Sequence, residues 1–262
     1  MIKAVFLKFS LSLFLTVFGN LFRAQEMFSP SVLVTYEMRS VESLMENAVP
    51  EVTHYVLLAN EKTAVFKAQS AFRYDSIKLI NGDQRTLMAS FDLEEQANIV
   101  INPKEIVYSD LVMNTEVGYR EGIDFKWQII REFGEVAGQK CQKAVTEKFG
   151  RKWTACFSAV SPFMFGPYKF NGLPGLILEV EDDENHYRFR MTGIKKIEGT
   201  FPLSRLNQVK MFSKSDYLRV KDKLESDFSL GGKIKLNPEH TRKFHAAREL
   251  MLKSANPLER EP

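Results

Sequence analysis

A glycine–proline–glycine turn that runs straight into a strand with a charge-matched partner constrains this chain more than any other stretch. Pro174 fixes its own φ and has no backbone N–H to donate, while Gly172 and Gly175 on either side can take positive φ. The Leu173-Pro174-Gly175 step therefore reads as a turn with proline at its second position and glycine at its third. Residues 176–181 follow as a strand, and residues 187–194 as its antiparallel partner. A tip at Glu184-Asn185 sets Glu181 opposite Arg188, Glu179 opposite Arg190, Val180 opposite Phe189 and Leu178 opposite Met191. One face then carries charge pairs and the other is apolar, as in a sheet with one wet side.

Shorter strand signals precede this hairpin at regular spacing. Residues 31–39 alternate, with Val32, Val34 and Tyr36 on one face. Residues 54–59 and 63–68 flank Asn60-Glu61-Lys62, and residues 98–101 and 105–110 flank Asn102-Pro103, so each pair reads as a hairpin. Residues 124–131 resemble a further strand. Helical patterns come late. Residues 213–228 open with Ser213 and Asp216 as a capping pair and place Tyr217, Val220, Leu224 and Phe228 on one face, and Gly231-Gly232 stops them. After Asn237-Pro238, residues 239–254 form a second helix with Phe244, Ala247 and Met251 as its inward stripe. The expected fold is α+β: a curved antiparallel sheet over residues 25–197, with a helical part over 205–255 packed on it, in one domain from 25 to 262.

The N-terminus reads as an export signal. Lys3 opens a positive region, residues 5–18 are mostly apolar, and Ala24 is a small residue at the expected cut. That apolar core is shorter than a membrane span of roughly 20 residues, and no later stretch is apolar enough for one. Removing Lys3, Lys8 and Arg23 takes the formal charge from +3 to 0. A neutral balance with interspersed signs argues against general nucleic-acid binding, which rests on neutralising phosphates.

The unbroken hexapeptide Gly172-Leu173-Pro174-Gly175-Leu176-Ile177 resembles the signature of the GLPGLI family of Bacteroidota envelope proteins. Gly166-Pro167-Tyr168-Lys169-Phe170, Lys140-Cys141-Gln142-Lys143-Ala144 and the run 150–155 fit the same pattern, and Asn256-Pro257-Leu258-Glu259 resembles the family's usual terminus. The match is tight from about residue 138 to 187. The resemblance implies an exported protein of the periplasm or cell envelope, or a secreted one, with no settled biochemical activity. It marks Gly172, Leu173, Pro174 and Gly175, whose role reads as conformational.

Cys141 and Cys156 are the only cysteines, and they flank residues 147–150. A four-residue turn there would face them across neighbouring strands, within reach of a disulfide that an exporting compartment permits. A two-residue turn at Phe149-Gly150 would instead set Cys141 opposite Ser158. Buried free thiols are another reading. Redox chemistry is a third, without a CxxC spacing to activate a thiol.

Few residues invite chemistry. The acidic run Glu179, Glu181, Asp182, Asp183 and Glu184 beside His186 could hold a cation through Asp182, Asp183 and His186, but it lacks an EF-hand spacing, and such runs usually form a solvated tip. His54, His186, His240 and His245 do not group, and His240 and His245, five apart, lie off a common helix face. No nucleophile elbow, phosphate loop or dinucleotide fingerprint occurs, and no cofactor is expected. Trp153, Phe157 and Phe165 read as core. The sequence thus favours a non-enzymatic module binding an apolar ligand or an envelope protein partner. The alternative is an envelope hydrolase using Asp182, Asp183 and His186, or an accessory of peptide maturation or export.

Overall fold

The computed structural model describes residues 26–81, 97–112, 115–204, 209–226 and 237–260; the expected export signal, Phe228 and Gly231-Gly232 lie outside them. In chain order the strands are β1 (Met27–Phe28), β2 (Val32–Ser40), β3 (Glu51–Ala59), β4 (Ala64–Ala68), β5 (Asn98–Ile101), β6 (Ile106–Val112) and β7 (Thr115–Glu121). They continue with β8 (Gln128–Val136), β9 (Gln139–Lys148), β10 (Arg151–Ser158), β11 (Leu176–Asp182), β12 (Tyr187–Lys196), β13 (Phe201–Pro202) and β14 (Lys210–Phe212). The helices are α1 (Gln69–Asn81), α2 (Lys214–Ser226) and α3 (Pro238–Ser254).

Among the described residues twelve strands form one open sheet, in the order β14-β7-β6-β5-β4-β3-β2-β12-β11-β10-β9-β8. Every pairing in it is antiparallel except β14 with β7. Turn chemistry sets the hairpins: the Asn60 side chain accepts from the Lys62 and Thr63 amides, and Asn102 accepts from those of Lys104 and Glu105. The β11–β12 register is the one the charges demand, with Glu181 opposite Arg188, Val180 opposite Phe189 and Glu179 opposite Arg190.

The sheet is strongly curved. β7 and β10 stand eight places apart in its order, which a flat sheet would spread over about 40 Å at the usual strand spacing. Yet the Lys169 ammonium lies 4.9 Å from the ring of Tyr119 on β7 and 5.7 Å from that of Phe149, just before β10. The main core fills the concave side, from Val34, Tyr36 and Phe66 to Trp153, Phe157 and Phe189. A second, smaller core of Leu33, Val56, Leu58, Val65 and Val100 lies on the convex side with Phe72 of α1. β4 is therefore buried along its whole length.

Several expectations need correction. α1 was not foreseen, because it follows β4 directly with no capping residue before it and no acid in its first turn. The strand expected at 124–131 begins only at Gln128; Phe125 and Trp127 instead pack against the main core as irregular chain. The β9–β10 turn is the two-residue alternative, with Phe149 at φ 60° and Gly150 at φ 69°. Cys156 then lies opposite Lys143, so the Cys141–Cys156 disulfide closes diagonally, with Cα atoms 5.4 Å apart. The facing arrangement is overturned, but the bond itself forms.

The two late helices differ from each other. α2 is capped by the Ser213 hydroxyl, which accepts from the Asp216 amide, and buries Tyr217 against Val117 and Tyr119. α3 buries none of its residues: Phe244, Ala247 and Met251, the expected inward stripe, are exposed, Met251 at 69%. The concave face that would have received that stripe is already filled by residues 165–176 and covered by α2 and the chain after α3.

Candidate functional site

The hexapeptide enters the hollow rather than decorating its surface. The Gly175 amide donates to the Leu173 carbonyl at 2.8 Å, so the turn is a tight three-residue one centred on Pro174, not the four-residue turn expected. Gly175 sits at φ 152°, and a Cβ there would stand 2.1 Å from the Ser158 carbonyl oxygen on β10. Gly172 holds φ 86°, and a Cβ there would meet only Trp127, at an ordinary contact distance of 3.9 Å. Gly175 thus serves a close approach and Gly172 a backbone conformation. Leu173, Leu176 and Ile177 are buried in the main core, and the Tyr36 hydroxyl donates to the Ile177 carbonyl at 2.6 Å. Burial pushes the Tyr36 hydroxyl far above its ordinary pKa, so it stays a donor. Trp127 Nε1 donates to the Asn171 carbonyl at 2.8 Å.

This anchoring delivers Lys169 to the middle of the hollow. Its side chain is 0% exposed, and its ammonium is ringed by Tyr108, Tyr119, Phe149 and Tyr168 at 4.9–5.7 Å from their centroids. It donates to the Tyr119 hydroxyl at 2.7 Å and to Glu259 Oε1 at 2.5 Å, and stands 2.7 Å from Glu121 Oε1. Glu259 is held further by the Tyr168 hydroxyl at 2.7 Å and by Lys214 Nζ of α2, 2.7 Å from Oε2. Burial pushes the Glu259 carboxyl up, but the Lys169 charge and the bonds from Lys169, Lys214 and Tyr168 outweigh it and leave the group below its usual range. Burial, and then the charge of Glu259, raises Tyr119 and Tyr168, so both remain protonated.

Beside this cluster lies a cavity of about 450 Å³, mostly apolar. Tyr55, Phe66, Ile99, Tyr108, Tyr119 and Phe189 of the sheet form its walls with Tyr168. Tyr217, Leu218, Lys214 and Lys221 of α2 close one side, and Pro257, Leu258 and Glu259 another. Burial, the larger effect, lifts the Tyr217 hydroxyl to about 12. The Lys221 ammonium lies 3.1 Å from Asp110 Oδ2.

Residues 255–260 form a strap across the hollow. Asn256 is buried: its amide donates to the Glu42 carbonyl, its side chain to the Val41 carbonyl at 2.7 Å, and its own carbonyl accepts from the Tyr187 hydroxyl at 2.6 Å. Arg151 of β10 holds the strap from below, donating to Asn256 Oδ1 at 2.6 Å and to the carbonyls of Pro257 and Leu258 at 2.8 and 3.1 Å. The Arg260 amide donates to the Phe149 carbonyl at 2.9 Å.

The acidic tip serves this strap. Asp182, expected at a solvated tip, is buried at 2% exposed: Oδ2 accepts from Arg151 at 2.7 Å and Oδ1 from the His186 and Tyr187 amides at 2.8 Å each. Asp183 is exposed, with its amide donating to the Lys152 carbonyl. The set that converges is Asp182, Glu184 and His186, within 4.8 Å of one another. Arg260 donates to both oxygens of Glu184, and that bonding holds its carboxyl down at about 2. Two guanidinium groups thus occupy the two carboxylates of this converging set, Arg151 that of Asp182 and Arg260 that of Glu184, while Asp183 stands apart from it. Lys169, Arg151 and Glu259 were the residues that sequence reasoning missed as a group. The signal was present, since Lys169 and Glu259 both fall inside stretches singled out as motifs.

The fold is an open curved sheet wrapped around a buried lysine and closed by a helix and the 255–260 strap. No protein-family model matches the sequence, and no curated protein matches it closely enough to count as a relative. Among solved structures it is similar to PNGF-II, with a TM-score of 0.56 at 16% identity over 74% of this chain. A second crystal form of PNGF-II gives 0.54 at the same identity. The chain spans only 34% of the length of PNGF-II, and the likeness establishes a shared fold alone. A LolA superfamily protein from Nitrosomonas europaea superposes more loosely, with a TM-score of 0.30 at 9% identity over 65% of this chain and 87% of that one.

Proposed function

We propose that this protein is an exported binding module of the cell envelope that holds an apolar or amphipathic molecule in its hollow. The observation that carries the reading is the cavity of about 450 Å³ walled by aromatic rings, a size and lining usual for small-molecule sites. A packed core would have closed it, because unfilled apolar space costs stability. The apolar walls supply the affinity, and the tyrosine hydroxyls and paired charges at its edge orient the occupant. The GLPGLI-like signature and the N-terminal signal support an envelope location, and no described helix is long and apolar enough to cross a membrane.

The test joins native mass spectrometry with a blocked cavity. Mature protein taken from its own envelope should carry extra mass, and the emptied protein should bind an apolar fluorescent probe. Leu218→Trp on α2, at the cavity wall and partly exposed, should weaken probe binding about tenfold or more with little change in thermal stability. A bare chain together with probe binding indifferent to Leu218→Trp would refute the module.

A further inference from the structure

The occupant's chemical class follows from the charges at the cavity floor. Glu259 is an anion delivered by a strap, not by the sheet, and its carboxylate takes three donors: Lys169 Nζ, the Tyr168 hydroxyl and Lys214 Nζ. The residues before it, Pro257 and Leu258, line the cavity. The chain has therefore laid an apolar run ending in a carboxylate into its own hollow. Lys169 and Lys214 face Glu121 and Glu259, so the quartet is neutral while the strap is in place. Withdraw Glu259 and two ammoniums share one carboxylate, with Lys169 wholly buried. A buried ammonium does not stay uncompensated at low cost.

We infer that the hollow is built for an apolar monocarboxylate whose head group displaces Glu259 from Lys169, Lys214 and Tyr168. The inference rests on the binding-module reading and names the ligand that reading leaves open. An apolar cation finds no such place, because the two ammoniums left behind already outnumber the single carboxylate of Glu121. Asn256 stays as the pivot, since Val41, Glu42 and Tyr187 hold it independently of Glu259. Only the chain beyond it has to move. The bonds that must open are those of this short stretch to Arg151, Glu184 and the Phe149 carbonyl. The contrast with Lys67 supports an exchangeable anion at Lys169: Lys67 is also buried, but its partner Asp75 sits on the same short stretch of chain, at 3.0 Å, on β4 and α1.

The experiment compares dodecanoate with dodecanol, equal in chain length and different only in the head group, on the full mature chain. For Glu259→Gln, the ratio of dodecanoate to dodecanol affinity should rise about tenfold over wild type, because a charge-assisted carboxylate site is freed. Adding Lys214→Met should return the ratio to the wild-type value. Since Glu259→Gln could loosen the fold, the unaltered protein supplies a second readout. Dodecanoate, and not dodecanol, should speed hydrogen exchange at the Arg260 amide, now bonded to Phe149. Equal affinities on Glu259→Gln with an unmoved Arg260 amide would overturn the carboxylate inference and leave the binding module standing, since dodecanol would still have bound. Binding of neither molecule to any form would overturn both.

Discussion

The signature segment 165–176 and the strap 255–260 both line the hollow, yet different forces keep them there. The signature segment is held by shape. Phe170, Leu173 and Leu176 are buried in the main core, and Gly175 passes so close to Ser158 that no side chain fits. The strap is held by charge and hydrogen bonds: Arg151 and Tyr187 grip its first residues, and Lys169, Lys214 and Glu184 its last. Apolar packing of that kind responds little to pH, whereas ion pairs follow the protonation of their carboxylates. The molecule thus couples a fixed wall to a titratable closure.

Three perturbations test that contrast, in order of expected size. Gly175→Val would drive a Cβ into the Ser158 carbonyl and should cost more than about 4 kcal/mol, enough to prevent accumulation of folded protein. Thermal melts of the purified variant check it; a variant that folds as stably as wild type would show that the segment is not held by shape. Arg151→Met removes the strap's main anchor and strands Asp182, 2% exposed, without its cation. A loss of about 3–5 kcal/mol is expected, and Arg151→Met with Asp182→Leu should recover part of it in a double-mutant cycle.

The smallest effect is titration of the strap. Glu259 has a lowered pKa in the folded protein, so its pairing is fully present above the ordinary glutamate value of 4.5 and is lost as pH falls through the lowered one. Glu184 follows the same sign, down to about 2. Acidification below pH 4.5 should therefore speed hydrogen exchange at the Arg260 amide before the sheet core opens. Glu259→Gln should flatten that dependence. Exchange of the strap and the core together, at one pH, would mean the two regions are not separately held.

Local pattern made much of the sheet legible. The β11–β12 pairing follows from charges and apolar residues alternating in opposite strands, and the asparagine turns at 60 and 102 follow from side chains that bond their own backbone. Where two local solutions competed, local pattern did not decide. The β9–β10 turn took the two-residue form, and the disulfide tolerated it by closing on the diagonal. The stripe on α3 read as inward because periodicity identifies an apolar face without saying whether a surface is free to receive it.

The candidate site belongs to the other category. Sequence alone determined that Gly172-Leu173-Pro174-Gly175 would bend the chain, because a turn depends on neighbours a few residues away, and it left the pairing of Cys141 and Cys156 open between two turns. Only the tertiary structure decided that Lys169 would meet Glu259, ninety residues on, and that Arg151 would take Asp182 and Asn256 at once. Those meetings depend on the sheet curling until strands at its two ends face one buried ammonium. That curvature is the sum of many small strand twists around a crowded concave core.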